Sequence, residues 1–480
     1  MANLDVEEFL TTFVKELNES NVAVFVGAGL SRAAGFVDWP GLMSSVAIQL
    51  GLDAKKEVDL VALAQYHLNA NANNRYQLSQ LLIEQFSDLP DPTENHRVLA
   101  RLPIHTFWTT NYDRLIEKAL EAGGKRVDAK YTNEQLALTR RGRDAVVYKM
   151  HGDIEQPEKA VLAKDDYERY HDTHGPFITA LSGDLVEKTF LFLGFSFTDP
   201  NLDYILSRIR VRFTGNQRQH YCITRRRQQF SGEGKDDFDY ALTKQALVTQ
   251  DLRRFNIKTI FVDEFDEITG LLTAIEKRFR RRTVFISGSA ADYGTWGREK
   301  TEALVAGLAR ALIDRNLRIT SGFGFGIGGA VVTGAVEQIY STRQRSVAEQ
   351  LVLRPFPIGI KDEAKRQATV ERYRDDLLAQ AGIAVFIMGN KDVGGKIVNA
   401  DGMRLEFQAA RNKDLYVVPV GASGSMALEL WKEVMAQIKT YFPQNEAAVR
   451  PLLEAIGNTA ANPEAILAPL LELIGLLSRE

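Results

Sequence analysis

VAVFVGAGLSRAAG, residues 22–35, decides the fold. Val22 to Val26 are apolar without alternation, which reads as a strand buried on both faces; the glycines that follow read as a tight turn, and the residues after them as a helix start. Strand, glycine turn and helix in this order are the grammar of a doubly wound α/β sheet. Working outward, further strands are expected at HTFWTT (105–110), AVVYKM (145–150), TFLFLGF (189–195), HYCIT (220–224) and IKTIFV (257–262), with helical patterns between most of them and a helical insertion around residues 50–100. The grammar restarts in AIEKRFRRRTVFISGSA, where a helix ending in Arg278, Arg280, Arg281 and Arg282 meets a new apolar strand, Val284 to Ser287. Arginines there complement the helix dipole. Two Rossmann-like doubly wound domains follow from this reading, residues 1–282 and 283–480, the second continued by LRITSGFGFGIGGAVVTGAVEQIY (317–340), IAVFIMGN (383–390) and LYVVPVGASG (415–424).

The chain of 480 residues is longer than one core usually supports, and 45% hydrophobic residues suffice for two. A net charge of -3, from 59 basic against 62 acidic side chains, gives no electrostatic reason for wholesale binding to nucleic acid or to an anionic membrane. One cysteine, Cys222, excludes an intramolecular disulfide and a multi-cysteine zinc site, so no metal is expected. The N-terminal MANLDVEEFLTTFVKEL is acidic and amphipathic, unlike a signal peptide. AILAPLLELIGLL, near the C-terminus, is short and broken by Pro469, Glu472 and Gly475, which suits a packed helix better than a membrane anchor. The expectation is a soluble, cytoplasmic protein.

Chemistry concentrates at strand ends, where a parallel sheet forms its ligand crevice. GAGLS (27–31) opens a helix, and its small residues let a pyrophosphate approach backbone N–H groups, although turns of this kind also serve packing alone. TTNYD (109–113) puts Asn111 and Asp113 before a helical pattern, where either can be a cap. KMHGD ends a strand at His151, and GFSFTDPN (194–201) ends another. Four polar or glycine turns at the carboxyl ends of strands can converge on one site.

Together GAGLS, TTNYD, HGD and GFS resemble, in order, the motifs of the Sir2 (sirtuin) NAD-binding family. The resemblance implies NAD+ as substrate, with Asn111 holding the nicotinamide ribose and the reacting groups and His151 as general base. Gly27, Ala28, Gly29, Ser31, Asp38, Asp113, Gly194 and Ser196 would surround the cofactor. Sirtuin deacylases carry a four-cysteine zinc module that one cysteine cannot build, so a deacylase is disfavoured. The chain also has GFVDWPG (35–41) where sirtuins continue G-x-P-D-F-R; Asp38 is retained, but Trp39 and Pro40 replace the Phe and Arg. Nicotinamide leaves a ribose as a neutral group, so cleavage needs no general acid, only a stabilised oxocarbenium-like transition state and a positioned nucleophile, for which water serves. The expected reaction is NAD+ hydrolysis to nicotinamide and ADP-ribose.

TVFISGSA and SGFGFGIGGA again set glycines at helix starts, with five of them from Gly322 to Gly329. This half resembles the SLOG superfamily without the PGGxGT signature of its LOG hydrolases, so binding is favoured over catalysis; the nearest stretch is NKDVGGKIV (390–398). A zinc-less Sir2 domain followed by SLOG resembles the NADase effectors of Thoeris antiphage defence. That resemblance implies activation by a cyclic ADP-ribose isomer made by a TIR-domain partner, NAD+ depletion, and assembly as a homotetramer or filament. The activator residues it implies are Ser289, Gly324, Arg374, Lys391 and Glu406, although Arg374 and Glu406 lie in helical patterns whose charges usually face water. Rival readings are a sirtuin-like deacylase or ADP-ribosyltransferase, and a non-catalytic nucleotide-sensing scaffold.

Overall fold

A computed structural model describes residues 2–479 apart from 55, 58, 89, 214, 342–345 and 356–361. Seven parallel strands, β1 (Val22–Val26), β2 (Thr106–Thr109), β3 (Val127–Lys130), β4 (Ala145–Lys149), β5 (Thr189–Leu193), β6 (His220–Arg225) and β7 (Ile257–Val262), form one sheet. Their order is β3-β4-β2-β1-β5-β6-β7. Every residue of β1 and β5 is buried, as their unbroken apolar runs require. The chain leaves β1 for β2 on one side and later returns to β5 on the other, so the crevice at the carboxyl ends of β1 and β5 is the topological switch point where α/β sheets bind ligands.

A second sheet contains β8 (Thr283–Ser289), β9 (Arg318–Ser321), β10 (Leu351–Leu353) and β11 (Ile383–Met388); then β12 (Asn390–Val393) and β13 (Lys396–Asn399) form a separate antiparallel hairpin, and β14 (Tyr416–Pro419) completes the sheet. Its order, β10-β9-β8-β11-β14, is parallel throughout and reverses at β8. The chain divides into compact units Met1–Glu276 and Lys277–Glu480, a few residues before the boundary expected from sequence and inside the helix Asp266–Arg280.

The expected insertion is a set of short helices, Leu60–Ala70, Tyr76–Phe86 and Glu94–Arg101. With the segment after GAGLS the first two of these helices build an apolar cluster, in which Phe36, Leu63, Leu82 and Phe86 pack with Tyr112 and Leu115. That cluster fixes the insertion beside the turn that follows β2. The C-terminal apolar stretch is the helix Pro463–Arg479, which buries Ile466, Leu470, Leu473, Ile474 and Leu477 in the core of its unit. No described helix is long and apolar enough to cross a membrane.

Burial is the largest cause holding two of the buried histidines of the first unit, His96 and His220, down to about 4. Their Nδ1 atoms act as acceptors: Phe190 N–H donates to His220 at 3.1 Å and Thr93 N–H to His96 at 3.3 Å. A depressed histidine pKa means stability that is present above the unfolded value of 6.5 and is lost as pH falls from there through about 4. The loss is at most roughly 3 kcal/mol for each group. Thermal melts are therefore expected to drop steadily from pH 6.5 to 4, with part of the drop removed by His220→Gln; a melting temperature flat across this range would contradict it.

Candidate active site

Three turns meet at the β1/β5 crevice, and the first two do so backbone to backbone. Gly29 N–H donates to Gly194 O at 2.9 Å and Gly27 N–H to Leu193 O at 2.9 Å. A Cβ on Gly27 would stand 2.4 Å from Gly194 O, and one on Gly194, whose φ is 62°, would stand 2.3 Å from Leu30 N. These glycines are thus needed first for the contact between GAG and GFS. The N–H groups of Gly27, Gly29 and Leu30 are already engaged within the protein, Leu30 with Gly27 O at 3.1 Å. The helix that Gly27 caps and that contains Gly29 and Leu30, Ala28–Arg32, is a single short turn.

The turn after β2 is held by its own polar residues. Thr109 Oγ1 donates to Val26 O at 2.9 Å and accepts from Asn111 N–H at 2.9 Å, and Asn111 Nδ2 donates to Ser31 Oγ at 2.9 Å. Asn111 is therefore clamped to the GAGLS segment through its amide nitrogen. Asp113 Oδ1 accepts from Leu115 N–H at 3.0 Å at the start of the helix Leu115–Ala122. The turn thus has both features that sequence left open, a capping carboxylate and a separate asparagine.

His151 follows β4 and is 1% exposed. Its backbone is fixed by Val161 N–H, which donates to His151 O at 2.9 Å. Tyr167 lies edge-on to the imidazole, with ring centroids 5.4 Å apart. His151 Nε2 stands 3.1 Å from Asp199 Oδ2. Asp199 was not among the residues expected from sequence, because Asp-Pro before a helical pattern reads as an N-cap with proline at the first helical position. It is that cap: Asp199 Oδ1 accepts from Asn201 and Leu202 N–H, each at 3.0 Å. Its other oxygen faces the histidine. Burial on its own would raise this carboxyl; His151 and the two backbone donors outweigh burial and hold it below the usual carboxylate range.

These groups line an open cavity of about 920 Å³. Ala28, Gly29, Ser31, Asp38, Asn111, Asp113, His151, Gly194 and Ser196 all face it, with Trp39, Phe86, Tyr112, Tyr167 and Phe195 as aromatic walls. Gly27 lies behind, against Gly194. Asp38 caps the short helix Trp39–Leu42 by accepting from Gly41 N–H at 3.0 Å and pairs with Arg32 at 3.3 Å. Ser196 is exposed and its hydroxyl meets that of Thr198 at 2.7 Å. The lining carboxylates Asp38, Asp59, Asp113, Glu168 and Asp199 face one lysine, Lys164.

In the second unit, the residues implied for the activator gather at the ends of β8 and β11, apart from Lys391. Ser287 Oγ donates to Glu406 at 2.5 Å, Ser289 Oγ donates to Asn390 O at 3.0 Å, and a Cβ on Gly324 would stand 1.9 Å from Gly288 O. Arg374 and Glu406 are each 8% exposed, against the usual fate of helix charges. Burial raises Glu406 despite Ser287 and the nearby Arg374. Arg374 Nε has no hydrogen-bond partner among the described residues, a deficit that a ligand would remove. Lys391 is exposed on the hairpin and pairs with Asp401 at 2.8 Å. Sequence missed Asn390, whose side-chain oxygen accepts from Ala291 and Asp292 N–H at 2.8 and 2.9 Å and fixes the loop after β8.

Comparison with known proteins finds one family match within the first unit and another lying mostly over the second. A SIR2-like domain matches residues 105–247, and the Sir2- and TIR-associating SLOG family matches residues 267–476. The chain is 48% identical to the NAD(+) hydrolase ThsA of Bacillus cereus (strain MSX-D12) over 98% of both chains. It is 47% identical to that of Acinetobacter baumannii (strain 532279) over 97% of both, and 43% identical to that of Enterococcus faecium over 92% of both. With identity of this level over nearly the whole of both chains, the chain belongs to the ThsA family.

Proposed function

We propose that this chain hydrolyses NAD+ to nicotinamide and ADP-ribose in the crevice at β1 and β5. The observation that carries the reading is the convergence of Asn111, His151 and Asp199 on one cavity large enough for a dinucleotide. The Asn111 amide nitrogen is engaged by Ser31, so its carbonyl oxygen is the group that holds the ribose and the attacking water. His151 accepts the water's proton, and the Asp199 carboxylate stabilises the imidazolium that results. Carboxylates around the cavity supply a negative field that stabilises the positive charge developing on the ribose as nicotinamide leaves. Relatives named NAD(+) hydrolase support the same reaction.

The second unit is proposed to bind a cyclic ADP-ribose isomer, made by a TIR-domain cyclase during phage infection, and so to switch the hydrolysis on. Arg374 suits the pyrophosphate, Ser289 can donate to it, and Glu406 suits ribose hydroxyls. Lys391 can join only by leaving Asp401. The active form is read as a homotetramer or filament in the cytoplasm that depletes NAD+. In an assay of nicotinamide release against a panel of cyclic ADP-ribose isomers, Arg374→Ala is expected to raise the half-activating concentration at least about tenfold, one lost charge-assisted contact. An unchanged activation curve would remove Arg374 from the site. A scaffold without catalysis is favoured instead if no isomer elicits turnover.

A further inference from the structure

Lys149, the last residue of β4, is fully buried, and the reaction described above does not use it. Its ammonium donates to Tyr112 O at 3.2 Å, to Asp113 O and to the Asp153 carboxylate, which accounts for its three N–H groups. Glu117 adds a fourth contact at 3.3 Å. The two carbonyls immediately follow Asn111, and Asp153 follows His151 by two positions. Tyr112 O also accepts from Ile154 N–H at 3.2 Å, and Asp153 Oδ1 accepts from Glu155 N–H at 2.8 Å. One cation is therefore bonded to both turns that carry the reacting side chains.

A buried charge is retained only where its partners are fixed around it. A neutral residue could fill the same space, but it could not satisfy two loop carbonyls and a carboxylate from different turns at once. We infer that Lys149 is a positioning residue, whose ammonium sets the separation of Asn111 and His151 by holding the turns 109–113 and 150–154 together. The inference rests on the proposed hydrolysis for its catalytic consequence. Its geometric part, the tie between the turns, is independent of any reaction.

The test uses the full chain carrying Lys149→Met with Glu117→Gln and Asp153→Asn, which removes the buried cation together with the two carboxylates ion-paired to it. The control, Lys130→Met with Asp128→Asn, removes a buried pair of the same sheet, 2.8 Å apart, whose other hydrogen bonds go to Leu138, Arg140 and Arg143 and to neither turn. Hydrogen exchange of the two turns is measured without ligand, and kcat and KM for NAD+ are measured with activator. Exchange in both turns is expected to rise together at least about tenfold, with kcat down about 10²-fold and KM within about threefold, while the control changes neither. Lys149→Gln in the same Glu117→Gln and Asp153→Asn background, which puts back an amide donor, is expected to fall between. Exchange or kcat within about threefold of the parent in the triple variant, or a change confined to one turn, overturns the inference. A parent that releases no nicotinamide counts against the hydrolysis alone, because the exchange measurement still decides the tie.

Discussion

His151→Ala and Asn111→Ala are each expected to lower nicotinamide release from NAD+ by about 10³-fold, within the range that general base catalysis and positioning supply. Neither substitution should unfold the chain. Asn111 is only partly buried, and its side chain bonds to Ser31 alone among the described residues; His151 keeps its backbone bond to Val161. Asp199→Asn should cost less, about 10²-fold, since the amide can still cap the helix Pro200–Arg212 but cannot stabilise an imidazolium at Nε2. The ordering distinguishes chemistry from scaffolding: circular dichroism and melting temperature stay near the parent while kcat falls. Equal loss of kcat and of folded protein would contradict the assignment.

Gly194→Ala is expected to damage both stability and turnover. The new methyl carbon would lie 2.3 Å from Leu30 N in a residue with φ 62°, so GFS must separate from GAGLS or the backbone must leave the left-handed region. Either route costs at least about 2 kcal/mol. Ser31 moves with that segment and Asn111 with Ser31, so a shift of about 1 Å should lower turnover roughly 10²-fold even in the fraction that stays folded. Gly183→Ala is the counterpart. Gly183 lies exposed in the helix Gly175–Glu187 with nothing within 4 Å of the added carbon, and alanine there should stabilise the chain by about 0.5–1 kcal/mol. Melting curves of the two variants moving in the same direction would refute the packing account of the glycines.

The strands that sequence identifies are those rich in apolar residues, from the fully buried β1 and β5 to the half-buried edge strand β7. β3 and β10 escape notice as edge strands: VDAK alternates charge, with Asp128 and Lys130 paired at 2.8 Å, and LVL is three residues long. The β12–β13 hairpin is hidden by its polarity and turns at Gly394 and Gly395, both with positive φ. In the site, each motif was visible at its strand end, and the switch point explains why those ends converge. What sequence could not supply was pairing across distance. Asp199 looks like a cap and is one, yet its second oxygen meets a histidine 48 positions away in the chain. Arg374 and Glu406 stand in charged helical patterns, and nothing local distinguishes a buried charge from a solvated one. Lys149 reads as an ordinary strand terminus until Tyr112, Asp113 and Asp153 surround it.

The most direct test of the account is nicotinamide and ADP-ribose formation from NAD+ by the purified full chain, with and without each cyclic ADP-ribose isomer, beside His151→Ala. The account predicts equimolar nicotinamide and ADP-ribose, release strongly stimulated by at least one isomer, and a signal about 10³-fold lower in the variant. NAD+ that stays intact with every isomer, or products formed equally by His151→Ala, would contradict it.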